Sequence, residues 1–228
     1  MFRKALAILA VAAFAVTAAQ AAGVNGATLS KDGRITTTQP GAMHYTPGFH
    51  KPAALDTIFD NIGFLYPEGL YFCCFGNTIS GPSSQVGGTN WPAAQFTPAH
   101  DATVKAIDVA LGWVSGSNRV VINIAKDDGG VPGTVLASFP ALGLGAFGDC
   151  CQLAQVAGNL GLRVKAGTPY WLFMSTDSES SNTWAVWPYN STDQVNTINT
   201  AGYNGTQWTA FPPARPAVSF AIYGKNKP

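Results

Sequence analysis

The chain has 228 residues, with 13 Lys and Arg against 12 Asp and Glu, and only 11% of its residues carry charge. So even a balance provides no basic face for nucleic acid or an anionic membrane. Four cysteines, 25 glycines and 15 prolines point instead to a turn-rich β protein of an oxidising compartment.

Residues 1–21 have the form of a secretory signal peptide. Arg3 and Lys4 make a short basic region, residues 5–16 an apolar run, and Ala19-Gln20-Ala21 a small-residue cleavage site. The apolar run is too short for the ~20 residues that a membrane helix needs. Without the leader the balance is 11 basic against 12 acidic residues, a net charge of −1. No later run is long enough to cross a bilayer. The expected product is secreted or periplasmic after cleavage, with no transmembrane segment.

Residues 22–56 are rich in Gly, Thr and Pro and follow neither the helical nor the strand period. They read as a loosely ordered N-terminal extension or linker, with one short strand near residues 34–38. From residue 57 the texture changes. "TIFDNIGF" and "AAQFT" are β-prone. In "ATVKAIDVALGWV", Val104, Ala106, Asp108 and Ala110 fall on one parity, and Ile107, Val109, Leu111 and Trp113 on the other. "RVVINIAKD" puts Val120, Ile122 and Ile124 on one face, Val121 and Asn123 on the opposite one. "GTVLASF", "PYWLFMST", "TWAVWPY" and "AVSFAIYG" follow, separated by turn clusters such as "VSGSNR", "KAGTP" and "NGTQ". Short alternating runs at this spacing argue for a sandwich or barrel. The expected fold is all-β: an antiparallel, jelly-roll-like β-sandwich over residues 57–224, with a tail at 225–228. "FGDCCQLAQVAGNLGLRV" is the ambiguous segment, with room for a short helix. In "KDDGGVPGT", Gly129 and Gly130 allow positive φ and Pro132 interrupts pairing, so Asp127 and Asp128 read as turn residues. They lack the alternating acidic spacing of a calcium loop.

In their order, "TIFDNIG", "AAQFTP", "ATVKAIDVALGW", "VVINIAKDDGGVPGTVLASF", "GTPYWLFM" and "TWAVWP" resemble the bacterial choice-of-anchor R domain, a family of secreted or surface domains. The match covers about residues 57–224. The resemblance implies a β-sandwich, export and no established catalytic activity, and it transfers no functional residues. The chain departs from the family in having no C-terminal sorting signal and in its two Cys-Cys pairs.

Those pairs are Cys73–Cys74 and Cys150–Cys151. Neighbouring residues on a strand point to opposite faces, so Cys-Cys is a poor zinc chelate, and no Cys-x-x-Cys redox motif is present. Disulfides are the expectation for an exported chain. A vicinal bridge is strained, because a trans peptide fixes neighbouring Cα atoms at ~3.8 Å where disulfides prefer ~4.4–6.8 Å. A bridge between the pairs closes a loop of about 78 residues and contributes ~4–5 kcal/mol in the entropic account. The expectation is two cross-links between the pairs, with at least one pair in a turn.

Candidate chemistry is sparse, and no catalytic residue, metal site or cofactor is expected. The histidines are His44, His50 and His100, two of them in the extension, and no G-x-S-x-G elbow exists. The carboxylates Asp60, Glu68, Asp108, Asp177, Glu179 and Asp193 show no pattern beyond what any such chain supplies. Aromatics are more informative. Trp184, Trp187, Tyr189, Tyr203 and Trp208 fall within 25 residues, among amides such as Asn190. Flat rings with amide neighbours suit stacking on sugar faces. On "TWAVWPY", Trp184 and Val186 share one face and Ala185 and Trp187 the other, which places at least one Trp in the core. The functional expectation is a non-catalytic binding module of the bacterial exterior, with polysaccharide as ligand through these six residues. The alternative is a structural or adhesive envelope protein making protein contacts only; a hydrolase ranks last. Exposure of Trp187 and Trp208 separates the first two.

Overall fold

The computed structural model describes residues 27–30, 33–37, 54–62, 71–149, 153–190, 197–213 and 215–227. The expected signal peptide lies outside the described residues. Among them there is no helix, and none therefore long and apolar enough to cross a membrane. The strands are β1 (Ala27–Leu29), β2 (Arg34–Thr37), β3 (Asp56–Asp60), β4 (Tyr71–Ser80), β5 (Trp91–Phe96), β6 (Ala102–Ala110), β7 (Gly112–Ser115) and β8 (Arg119–Asp127). They continue with β9 (Pro132–Leu142), β10 (Leu153–Ala157), β11 (Arg163–Val164), β12 (Tyr170–Ser175), β13 (Trp184–Asn190), β14 (Thr200–Tyr203), β15 (Trp208–Ala210) and β16 (Phe220–Asn226). The ambiguous segment thus gives β10 and β11 and no helix among its described residues.

The strands form three antiparallel sheets, ordered β1-β2-β4-β13-β7, β10-β6-β16-β3 with β11 also on β6, and β15-β14-β5-β12-β8-β9. The first two are joined. Only Leu111 separates β6 from β7, so one run of chain leaves β16 and takes up β13. Asn190 N also donates to Ala217 O at 2.9 Å, and Ser219 N to Pro188 O at 2.9 Å. One core cluster draws on all three sheets: Ile79, Trp187 and Tyr189 from the first, Val104, Ile107, Val109, Phe220 and Ile222 from the second, and Phe96, Ile122, Ile124, Leu172 and Met174 from the third. The alternation read for β8 holds, since Val120, Ile122 and Ile124 are fully buried.

The parity read for β6 holds over only part of the strand. Tyr223 pairs with Ala106 and Gly224 with Val104, so Lys105 is an extra residue. This bulge carries Val104 into the same core as Ile107 and Val109. Glycine is required opposite it, because a Cβ at position 224 would collide with the Thr103 carbonyl.

Within the expected extension, the described residues 27–30 and 33–37 include two strands. β2, within the segment read as one short strand, pairs with β4 and carries β1 on its other edge. Ile35, 1% exposed, fills a second cluster with Val114, Trp184 and Val186. Burying an Ile is worth ~1.5–3 kcal/mol, so β1 and β2 belong to the folded unit. Ile35→Ala should lower the unfolding free energy by ~2–4 kcal/mol and red-shift Trp184 emission, as read by urea denaturation with fluorescence. A loss below ~0.5 kcal/mol would mean that β2 is only a surface addition.

Candidate functional site

The aromatic cluster divides in the structure. Trp184 (1% exposed), Trp187 (0%), Tyr189 (5%) and Asn190 (0%) are buried, so they offer no surface to a ligand and their proposed role is corrected. The cause is that β13 is covered on both faces: Trp187 and Tyr189 enter the main core, while Trp184 meets Ile35 and Val114. Trp187 Nε1 donates to Ser219 O at 3.0 Å.

Tyr203 and Trp208 are half-buried and stand in a ladder that also includes Trp91. The register pairs Tyr203 with Trp91 on β5 and with Trp208 on β15, so the three rings share a face of the third sheet. Trp91 and Tyr203 stack at 4.8 Å with planes 22° apart. Tyr203 lies 5.4 Å from Trp208, which meets Phe173 edge-on at 5.1 Å. The rings turn their faces to one another and their edges outward. That is a poor flat platform for a sugar, whose stacking needs an open ring face.

The opposite face of the same three strands borders a groove of about 240 Å³. Pro92, Gly202 and Thr209 are register partners and form its floor. Asn77 and Thr78 of β4, Gly33 of the β1–β2 turn, Asn90, Asn204, Phe211 and Arg215 complete its lining, with Trp91 and Tyr203 also touching it. Glycine at 202 is required by packing, because a Cβ there would collide with the Phe211 ring. Phe211 N donates to Thr200 O at 2.8 Å, and the Arg215 guanidinium sits 3.7 Å above the Phe211 ring centre. Such cation–π contacts contribute ~0.5–2 kcal/mol. Arg215 Nη1 donates to Asn77 Oδ1 at 3.4 Å, and the Tyr189 hydroxyl donates to the same oxygen at 3.0 Å. Tyr189 therefore acts beneath the groove as a positioning residue. Thr78 Oγ1 is buried without a hydrogen-bond partner. Asn204 Oδ1 accepts from Thr206 N at 3.0 Å and Gln207 N at 3.1 Å, which fixes the rim turn.

Sequence reasoning missed Trp91, Phe211 and Arg215. Trp91 had a signal, since Trp91, Ala93 and Gln95 alternate as one strand face. Phe211 and Arg215 lie in "FPPARPA", where no period exists to read.

His44, His50, Glu68 and Asp193 lie outside the described residues, and several of the remaining candidates have structural partners. Asp127 Oδ1 accepts from Trp171 Nε1 at 2.7 Å and Gln95 Nε2 at 2.8 Å. Gly129 and Gly130 take φ of 63° and 90°, as the turn reading requires. Asp177 and Glu179 both pair with Arg119, at 2.7 and 2.8 Å, and the Arg119 hydrogen bond holds the Asp177 carboxyl below its ordinary range. Among the described residues no three His, Cys, Asp or Glu come together to hold a metal ion. Cys74 is a free, half-buried thiol, pushed up in pKa by burial. The expected double cross-link is absent at Cys74; Cys150 and Cys151 lie outside the described residues.

No family model matches the chain, and no curated protein matches it. The likeness to the choice-of-anchor R domain rests on motif order.

A second polar cluster lies on the outer face of the second sheet, where Gln155, Asp108, Ala221 and Asp60 form one cross-strand row. Asp108 is fully buried. Gln155 Nε2 donates to its Oδ1 at 2.9 Å, and its Oδ2 has no partner. Burial pushes its carboxyl up to about 6, against the Gln155 bond that lowers it and with the Asp60 charge that raises it further. Burial, with the charges of Asp60 and Asp108, likewise raises the Tyr223 hydroxyl. The fold thus favours protonated Asp108. Its contribution is fully present below about pH 4, the unfolded range, and is lost as pH rises through about 6. Urea denaturation from pH 4 to 7 should show Asp108→Asn relieving a loss on the order of 2–3 kcal/mol; an unchanged pH slope in the variant would contradict the assignment.

Proposed function

We propose that the protein is an exported, non-catalytic binding module of the bacterial exterior whose ligand is a polysaccharide held in the groove between Asn77 and Phe211. The observation that carries this reading is the lining itself: amides, hydroxyls, an aromatic ring and a guanidinium around a cleft of about 240 Å³. These groups hydrogen-bond and stack, as a polar-ligand site requires. The volume lies below the ~300–1,000 Å³ of drug-sized pockets, which suits one sugar ring with the rest of its chain running past the open side. The Trp91–Tyr203–Trp208 ladder stiffens the strands that form the floor. In this reading the three sheets make a jelly-roll-like sandwich of the choice-of-anchor type, the signal peptide delivers it to an oxidising compartment, and a disulfide between the two cysteine pairs staples it there.

A second reading, an envelope protein making protein contacts only, is favoured by the edge strand β9. Among the described residues it pairs on one side, with β8, and it exposes Val135 (47%) and Leu142 (65%), an edge of the kind that strand addition uses.

The mature, oxidised protein should be retarded in gels containing one or more of a panel of bacterial and plant polysaccharides. Thr209→Trp, which fills the groove from an exposed floor position, should abolish the retardation while keeping the wild-type melting temperature. Retardation that survives Thr209→Trp would remove the groove from the account, and no retardation by any polysaccharide would favour the β9 reading.

A further inference from the structure

The second and third sheets end side by side, in β10 and β9, and the main core is incompletely closed there. Leu136 and Phe139 of β9, Val156 of β10 and Leu160 just beyond it pack against that core, yet all four are only half-buried. Val135 and Leu142, also on β9, stand exposed. Neither strand carries a charged residue: β9 reads PGTVLASFPAL and β10 reads LAQVA. Folded proteins ordinarily blunt an open edge with charge, as β3 at the far end of the second sheet does with Asp56 and Asp60.

The backbone of β9 decides how this side can be covered. Gly143 N donates to Asn118 O, one step beyond the Arg119–Leu142 pair, so Phe139 and Ala141 also turn their backbone groups to β8. Ser138, Pro140 and Leu142 then turn theirs away. Proline has no N–H, so the middle outward donor of the regular run 137–142 is missing, and the bulge at Leu136 ends that run. A backbone ladder with another strand is thus interrupted at its centre, while the apolar side chains beside it stay open to packing. A two-fold contact sets a surface against its own copy, where a charge near the axis meets its like. Two strands without charge suit such a contact, and β3 does not.

We propose that the β9–β10 side is the face on which two copies of this chain meet about a two-fold axis, through side chains and not through backbone pairing. The face is separate from the groove and does not rest on the groove being a carbohydrate site. It supplies a partner for the second reading above.

Sedimentation velocity of the intact mature protein from about 5 to about 500 µM should show the mass rising from one chain to two and stopping there, since mass action governs association and an isologous contact closes. Leu142→Asp and Val135→Asp, each at an exposed position, should raise the dimer Kd at least tenfold and leave the melting temperature of the dilute protein at the wild-type value. Thr209→Trp, in the groove, should leave the dimer unchanged. Pro140→Val, which restores the outward N–H, should change the Kd less than threefold. A monomer throughout the series, or a dimer indifferent to both aspartate variants, would overturn the proposal. A dimer tightened tenfold or more by Pro140→Val would overturn its side-chain character, and assemblies growing past two chains would overturn the two-fold. The concentration series uses the unaltered protein, so its result stands even where a substitution disturbs the fold.

Discussion

Burial of β13 on both faces is the constraint around which the molecule is arranged. All seven of its residues are buried, which an edge position or an uncovered sheet would not allow. Pairing with β4 and β7 covers its edges. The main core takes Ala185, Trp187 and Tyr189, and the opposite face needs a second cover for Trp184 and Val186. The N-terminal hairpin supplies it through Ile35, some 150 residues away in sequence. A strand carrying two Trp side chains on opposite faces demands two hydrophobic layers, and the placement of β2 follows from that demand.

The same strand reaches the candidate site. Beyond Trp187, Tyr189 turns its hydroxyl to Asn77, which in turn contacts Arg215. The groove therefore depends on core packing on one side and on the missing side chain of Gly202 on the other. Asn77 at its edge is held by the buried Tyr189 hydroxyl and Asn90 by Ser80, so that part of the lining is fixed before any ligand arrives. Preorganisation of this kind lowers the entropic cost of association.

Legibility in the sequence followed the reach of local rules. β8 was readable because Val120, Ile122 and Ile124 alternate onto the core face, as their pairing with β9 and their burial show. In β6 the period failed at Lys105, where the bulge is set by Gly224 on a strand far along the chain. The opposite faces of Trp184 and Trp187 were visible, but the cover over the Trp184 face was not, since a Gly- and Thr-rich extension shows no period that announces Ile35 as core. The candidate site suffered most. A sugar-binding expectation drawn from aromatic density counted rings that the core had already claimed. Density identifies composition, whereas exposure is decided by tertiary packing. Arg215 and Phe211 belong to a proline-rich stretch with no period to read, placed by contacts at Gly202, Thr200 and Asn77 far along the chain.

The polar features also sort by environment. Asp108 is buried with one oxygen unpartnered, and its charge is a burden on the fold at neutral pH. Arg215 lies half-buried at the groove, against the Phe211 ring and Asn77. The central claim is that this groove is where the molecule meets its partner. Backbone amide chemical-shift mapping during titration with an oligosaccharide mixture tests it most directly. The account predicts shifts confined to Asn77, Thr78, Gly202, Thr209, Phe211 and Arg215. Shifts along β9 instead, around Val135 and Leu142, would contradict it and place recognition at the sheet edge.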